Sequence, residues 1–298
     1  MILIQTPPVG WKDYELLDSG NFLKLERFGS FIMSRPEPKA IWQPALSPQE
    51  WERLSHVRFI PGAGFSKAGK EDSGSWEYLK KMPQRWTIDY NNIRLRLALT
   101  SFKHVGVFPE QCANWDFIYE QTLRLKEKLG RAPKILNLFA YTGAASLAAK
   151  AAGADVTHLD SVRQVVSWAN ENMELSALSD IRWIVEDASK FVSRQVRRGA
   201  QWDGIILDPP DYGRGPSGEK WHLVDNLWDI LNGCNAILSP KDSFLILNLY
   251  SNGYSAVLCE TFVRTAFGPQ GSTESGELVL TDKAGRRLPL SVFTRLVR

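Results

Sequence analysis

Between residues 115 and 249 the sequence alternates short apolar runs with longer stretches of helical period, and this alternation restricts the fold more than any other feature. Residues 135–139, 156–159, 181–185, 204–207 and 244–249 are too short for helices. They are mostly flanked by Asp, Gly or Pro, which predicts buried strands. Residues 115–129, 144–152, 162–174, 188–198 and 223–238 read as helices, the first closed by Gly130 and Pro133 and the second by Gly153. Strand and helix in strict turn imply βαβ units and a parallel sheet covered on both faces. The tail from Glu277 to Arg298 adds two extended runs around Asp282 and Arg287, an expected antiparallel pair at the end of the sheet. The expected fold is thus α/β, a mostly parallel seven-stranded sheet with an antiparallel final strand.

The first hundred residues have a different texture. They hold five of the eleven tryptophans, many prolines and short apolar stretches, as a small β-rich domain would. Residues 86–97 predict a hairpin turning at Asn91-Asn92, where left-handed backbone is tolerated at low cost. Residues 61–75, rich in Gly, Ser and Lys, predict a loop. The expected division is a β-rich domain over residues 1–100 and an α/β domain over 101–298.

Composition excludes several classes. No apolar stretch approaches the roughly 18 residues that cross a bilayer. Residues 1–10 lack a basic segment followed by an apolar one, so a cytoplasmic protein without membrane contact is expected. Cys112, Cys234 and Cys259 are odd in number and lack disulfide or metal spacing, and His56, His104, His158 and His222 are scattered, so no metal is expected. The net charge is +3; residues 1–100 carry 14 Lys and Arg against 11 Asp and Glu, so the excess lies entirely in the first third. That balance alone neither requires nor forbids a polyanionic partner.

Chemistry concentrates where the predicted strands end. The run 204–207 stops at Asp208-Pro209-Pro210-Asp211-Tyr212. Neither proline donates to a ladder, so strand pairing ends and a carboxylate, carbonyls and a ring are left at the carboxyl edge, where open α/β sheets bind ligands. After the first strand, Asn137-Leu138-Phe139-Ala140-Tyr141-Thr142-Gly143 leads into a helix through one glycine. A dinucleotide site would need Gly-x-Gly-x-x-Gly for its pyrophosphate, so this loop suits a nucleoside without phosphates, such as one carrying an amino acid. Asp160, beside Ser161, closes the second strand and is placed to accept two ribose hydroxyls, or else to cap the helix beginning at Val162. Asp187 and Ala188 follow the third strand, suiting an adenine amino group and ring nitrogen, or again a helix cap. Gly143, Asp160, Asp187 and Asp208 form the expected set.

With these residues in view, the chain resembles class I S-adenosylmethionine-dependent methyltransferases, and within them the ribosomal RNA large-subunit methyltransferase I and K-like group. The resemblance runs over residues 102–250 and rests on Gly106-Val107-Phe108-Pro109-Glu110-Gln111, on 137–143, on Asp160-Ser161, on Glu186-Asp187-Ala188 and on Asp208-Pro209-Pro210. It implies a Rossmann-like fold and S-adenosylmethionine as cofactor, with Phe108, Glu110 and Gln111 beside its methionine part. Where the family stretch continues with Arg, this chain has Cys112.

Methyl transfer from a sulfonium is an in-line displacement, so alignment and exclusion of water dominate. Asp208 and the Pro209 carbonyl suit a nitrogen nucleophile by accepting its N–H bonds, with Tyr212 stacking on a base and Pro210 near the cofactor. Carbon-5 methylation of a pyrimidine would need a cysteine thiolate. The segment after residue 249 offers none, and Cys234 reads as a core residue. Structured RNA is the expected partner, because Lys67, Lys70, Lys80, Lys81 and Arg85 interleave with Trp76, Tyr78 and Trp86. A solvated loop beside an aromatic core accounts for the same residues. A small metabolite, a protein side chain, or a noncatalytic binding role are the other readings.

Overall fold

The structure is a computed structural model that describes residues 2–8, 10–63, 72–250 and 253–298. It divides into two compact units interleaved along the chain, rather than one cut near residue 100. The first comprises Met1–Gln5, Gln111–Leu278 and Ser291–Arg298; the second comprises Thr6–Glu110 and Val279–Leu290.

The first unit is built on strands β9 (Lys134–Leu138), β10 (Asp155–Asp160), β11 (Ile181–Val185), β12 (Gly204–Leu207) and β15 (Phe244–Leu249), with β1 (Ile2–Gln5), β16 (Ser272–Thr281) and β17 (Arg287–Val297). They form one sheet in the order β1-β16-β17-β15-β12-β9-β10-β11. The pairs β15-β12, β12-β9, β9-β10 and β10-β11 are parallel, and β17 is antiparallel to β15. The expected sheet is present with one strand more. Ile2–Gln5 pairs in parallel with β16, so the first residues belong to this unit and not to the β-rich one.

Side-chain alternation sorts the strands into two faces. Leu136, Leu138, Ile205, Leu207, Leu245, Leu247 and Leu249 share one core cluster with Phe191 and Val192 of α5 (Ala188–Arg197), Leu227, Ile230 and Leu231 of α6 (Leu223–Ile237), and Cys259 and Val263 of α7 (Ala256–Phe267). The intervening residues, Asn137, Ile206, Phe244 and Asn248 among them, point to the opposite face. There Phe117 of α2 (Cys112–Leu129) meets the Phe244 ring edge-on at 6.0 Å. The remaining helices are α3 (Ala144–Ala151) and α4 (Arg163–Leu175). Helix α2 ends where Gly130 enters the left-handed region at φ 63° and donates its N–H to Lys126, as the sequence predicts.

The second unit holds an antiparallel-rich sheet of β2 (Tyr14–Gly20), β3 (Leu23–Phe28), β4 (Phe31–Pro36), β5 (Val57–Pro61) and β6 (Gly74–Tyr78), with helix α1 (Pro48–Leu54). The predicted hairpin is β7 (Arg85–Tyr90) and β8 (Ile93–Ala98), turning at Asn91 with φ 48°. Among the described residues no helix is long and apolar enough to cross a membrane, and no group of three or more His, Cys, Asp or Glu is placed to hold a metal.

Candidate active site

The chain runs outward from β9 to β10 and β11, then returns to the other side of β9 for β12 and β15. The order reverses between β9 and β12, and the four expected junctions lie at the carboxyl ends around that switch point.

The loop after β9 is held in an unusual backbone conformation. Phe139, Tyr141 and Gly143 all have positive φ, at 57°, 50° and 92°. Two non-glycine residues there cost energy that the surroundings must outweigh. Ala140 N–H donates to Leu159 O at 3.0 Å, Tyr141 N–H to Asp160 Oδ2 at 2.9 Å, and Asn172 Nδ2 to Thr142 O at 2.9 Å. A Cβ on Gly143 would stand 2.9 Å from Ala169 Cβ, so the loop crosses α4 as closely as a backbone without side chain permits. Asn137 lies beneath the loop. Its amide donates to Ser146 Oγ at 2.9 Å, which is 3.0 Å from His158 Nδ1, so it supports the loop instead of lining the cleft.

Asp160 uses one lone pair on each oxygen for backbone N–H groups, Tyr141 on Oδ2 and Val162 on Oδ1. A carboxylate has about four acceptor sites, and Ser161 is a third backbone donor, so capacity for a ribose hydroxyl remains. Burial raises its proton affinity above the ordinary carboxylate value, with the backbone donors of Val162, Tyr141 and Ser161 pulling the other way. Val162, not Asp160, occupies the cap position of α4. Asp187 does cap α5, accepting from Lys190 N–H at 2.9 Å. Ala188 is the first residue of that helix, where an N–H has no intrahelical acceptor.

At the fourth junction the strand register explains the geometry. Leu207 pairs with Leu247, so one residue further on Asp208 stands beside Asn248, both turned to the α2 face. Asn248 Nδ2 donates to Asp208 Oδ1 at 2.8 Å, and Gln111 Nε2 donates to Asp208 Oδ2 at 3.3 Å and to the Tyr250 hydroxyl at 3.0 Å. Gln111 thus grips the carboxylate directly. Asn248 and Tyr250 escape sequence reasoning because only the register, not any local pattern, brings them to Asp208. Phe108 and Glu110 lie in the second unit, Phe108 with its ring 5.0 Å from that of His104.

Pro209 is buried and Pro210 exposed. The chain then forms an unexpected hairpin, β13 (Tyr212–Arg214) with β14 (Lys220–His222). Trp221 anchors it by donating Nε1–H to Pro210 O at 2.7 Å and packing against Phe139, and Lys190 pairs with Glu219. Tyr212 stacks on His222 at 4.6 Å, so one of its faces is taken within the hairpin. Phe139, Asp160, Ser161, Asp187, Ala188 and Pro210 line a cleft roofed by Gly213, Arg214 and Trp221. It is narrow, about 30 Å³. Sites for drug-sized ligands usually exceed a few hundred Å³, so the cleft as it stands is smaller than a nucleoside needs.

Comparison with known proteins identifies the family. A profile of the S-adenosylmethionine-dependent methyltransferase family matches residues 67–266, more than half of the chain. The crystal structure of an S-adenosylmethionine-dependent methyltransferase from Agrobacterium tumefaciens superposes with a TM-score of 0.90 at 38% identity, covering 99% of this chain and 93% of that one. Ribosomal RNA large subunit methyltransferase K/L of Shewanella sp. strain ANA-3 is 31% identical over 71% of this chain and 30% of its own length. The K/L protein of Alteromonas mediterranea is 24% identical over 87% of this chain and 37% of its own. The chain therefore spans about a third of the length of these relatives.

The residues present suit the cofactor of that family: Asp160 for ribose hydroxyls, Asp187 and the Ala188 N–H for adenine, and a side-chain-free approach at Gly143. The chain belongs to the S-adenosylmethionine-dependent methyltransferases.

Proposed function

We propose that this methyltransferase acts in the cytoplasm on a nitrogen of a base in RNA, with ribosomal RNA as the substrate. The observation that carries the nitrogen assignment is the fixed carboxylate of Asp208, held by the amides of Asn248 and Gln111 at the switch point. A carboxylate is an acceptor on both oxygens, and we assign to Asp208 the acceptance of an N–H of the target. Pro209 adds a carbonyl with no competing N–H.

Bound S-adenosylmethionine supplies an electrophilic methyl carbon on a sulfonium. Asp208 and the Pro209 carbonyl orient the target nitrogen by its hydrogens, leaving its lone pair directed at that carbon. The face of Tyr212 opposite His222 stacks on the base. Carbon-5 chemistry lacks its nucleophile among the described residues: Cys112, Cys234 and Cys259 are all buried.

The names of the K/L relatives support RNA, and we assign its recognition to the second unit. Tyr78 and Phe102 are each about half exposed, and Lys81 and Arg85 are exposed. The other expected contacts are partly committed elsewhere. Lys80 donates to the carbonyls of Arg53 and Leu54, Trp86 is buried, and Trp76 packs on Phe59. Lys67 and Lys70 lie outside the described residues.

Labelled S-adenosylmethionine incubated with total RNA, protein and metabolite fractions tests the reading. Label is expected in RNA, with Asp208→Ala abolishing transfer while cofactor binding persists. Label in protein or metabolites alone, or RNA affinity that does not fall with salt, overturns the RNA assignment.

A further inference from the structure

A second cavity, of about 270 Å³, opens in the first unit between α2 and the strands β16 and β17. Phe117, Gln121 and Arg124 share one face of α2, while Ser272 and Glu274, two apart on β16, share another wall with Arg295 of β17. It belongs to a different part of the molecule from the cleft beside Asp208. β17 is antiparallel to β15, so Arg295, which pairs with Ile246, lies toward the amino end of β15 and away from the carboxyl edge.

Two guanidinium groups meet this cavity, and one of them has a buried nitrogen without a partner. Arg295 is 4% exposed, its guanidinium carbon 4.7 Å from the Phe117 ring centroid and 4.4 Å from that of Phe293. Its Nε and Nη2 donate to Asn114 Oδ1 at 3.0 and 2.9 Å, and Nη2 also reaches Ala113 O at 2.9 Å. The remaining nitrogen, Nη1, stands 3.9 Å from Glu274 Oε2, beyond hydrogen-bond reach. Arg124 donates Nε–H to Gln121 Oε1 at 2.8 Å, while its Nη2 is buried without any partner. Burial pulls Arg295 down to about 10, so it remains a cation at neutral pH.

A buried guanidinium nitrogen without a partner, as at Arg124, is costly, and an oxyanion is the ligand that satisfies planar N–H forks. The lining carries two cations and one carboxylate, with Glu120 and Asp116 also within electrostatic range of Arg295; the lining carboxylate, Glu274, has a side chain 56% exposed and able to turn to solvent. The same exposed carboxylate repels a polyanion. The volume lies just below the range of small-molecule sites.

We propose that this cavity binds a small metabolite through a phosphate or carboxylate group bridged between Arg124 and Arg295, with Ser272 and Gln121 as further polar contacts. Calorimetry on the full chain, titrated separately with inorganic phosphate and with acetate, tests it and separates the two anion types. Saturable binding of at least one is expected. Arg124→Gln should weaken it roughly tenfold, the loss of one charge-assisted hydrogen bond, and Glu274→Gln should strengthen it by removing the opposing charge. Glu274→Gln changes a half-exposed residue, so it remains informative if the arginine variant fails to fold. No saturable heat with either anion, or affinities unchanged in both variants, overturns the proposal. Displacement of bound phosphate by a short single-stranded RNA would instead assign the cavity to substrate backbone and also overturn it.

Discussion

Asn114 donates its side-chain N–H to Gln111 Oε1 at 2.8 Å, and this bond fixes which way the Gln111 amide faces. The cause lies one residue further back. Arg295 has only donors, so Asn114 must offer it Oδ1, which leaves Nδ2 for Gln111. Gln111 must then present its own NH2 to Asp208 and Tyr250. One guanidinium therefore sets two amide orientations and directs donors at the carboxylate.

Asn114→Asp should break that relay, because an aspartate can accept from Arg295 but cannot donate to Gln111. Gln111 would turn its oxygen toward Asp208, replacing a donor by a lone pair. The expected loss in kcat is roughly ten- to a hundredfold, the worth of a hydrogen bond to a charged group, with cofactor affinity nearly unchanged. Steady-state methyl transfer and calorimetry separate the two quantities. Equal losses in both would mean that Asn114 matters only for folding.

Gly143→Ala probes the loop that receives the cofactor. The substitution meets two obstacles, a φ of 92° and a Cβ 2.9 Å from Ala169 Cβ. Gly130→Ala serves as a control, since Gly130 also has positive φ but has nothing within 4 Å of the added Cβ. Denaturant unfolding should show a loss of about 1 kcal/mol for Gly130→Ala from backbone strain alone. Gly143→Ala should lose more, and only this variant should weaken S-adenosylmethionine binding. Equal effects from the two would show that the contact with α4 carries no weight.

The sequence discloses local structure better than convergence. Strands Ile181–Val185, Gly204–Leu207 and Phe244–Leu249 were legible to the residue, because acids or short polar segments flank most of their ends. The acids after β10, β11 and β12 could be placed at one sheet edge for the same reason. Ile2–Gln5 carries no sign that it pairs with Ser275–Leu278, since a four-residue strand does not encode a partner 270 residues away. Tyr212–Arg214 and Lys220–His222 close a hairpin over the cleft, anchored by Trp221, though the glycines at 213, 215 and 218 leave its short strands without an apolar alternation to mark them. Helix α7 had legible signals in the Ser255 cap, the periodic apolar positions up to Phe267, and Gly268. The Gln111–Asp208–Asn248 cluster joins residues 97 and 40 positions apart, and only strand register and the α2 entry bring them together.

Cys234 and Cys259 give a test of the chemistry. Burial pushes the Cys234 thiol well above its ordinary range, and that of Cys259 up to about 12, so neither is a thiolate at neutral pH. Cys234→Ala is expected to retain methyl transfer, with stability lowered only by the small cavity left in α6. Loss of transfer in a folded variant would revive covalent carbon-5 chemistry and sink the nitrogen assignment.

Asp160 predicts two pH dependences of opposite sign. Burial raises its folded pKa above the 3.8 of an exposed aspartate, against the pull of its backbone donors, so the fold favours the protonated form. Its contribution to stability is therefore fully present below the unfolded pKa and is lost as pH rises through the raised folded value. Cofactor binding runs the other way. A protonated carboxyl has less acceptor capacity for ribose hydroxyls, so affinity for S-adenosylmethionine should fall as pH drops through that same raised value. The comparison is between wild type and Asp160→Asn, with unfolding free energy and calorimetric affinity each measured across the acid range. The difference curves should slope in opposite directions at acid pH and both level off above the raised folded value. Parallel slopes, or an affinity difference independent of pH, would show that Asp160 braces Tyr141 and Val162 without touching the ribose.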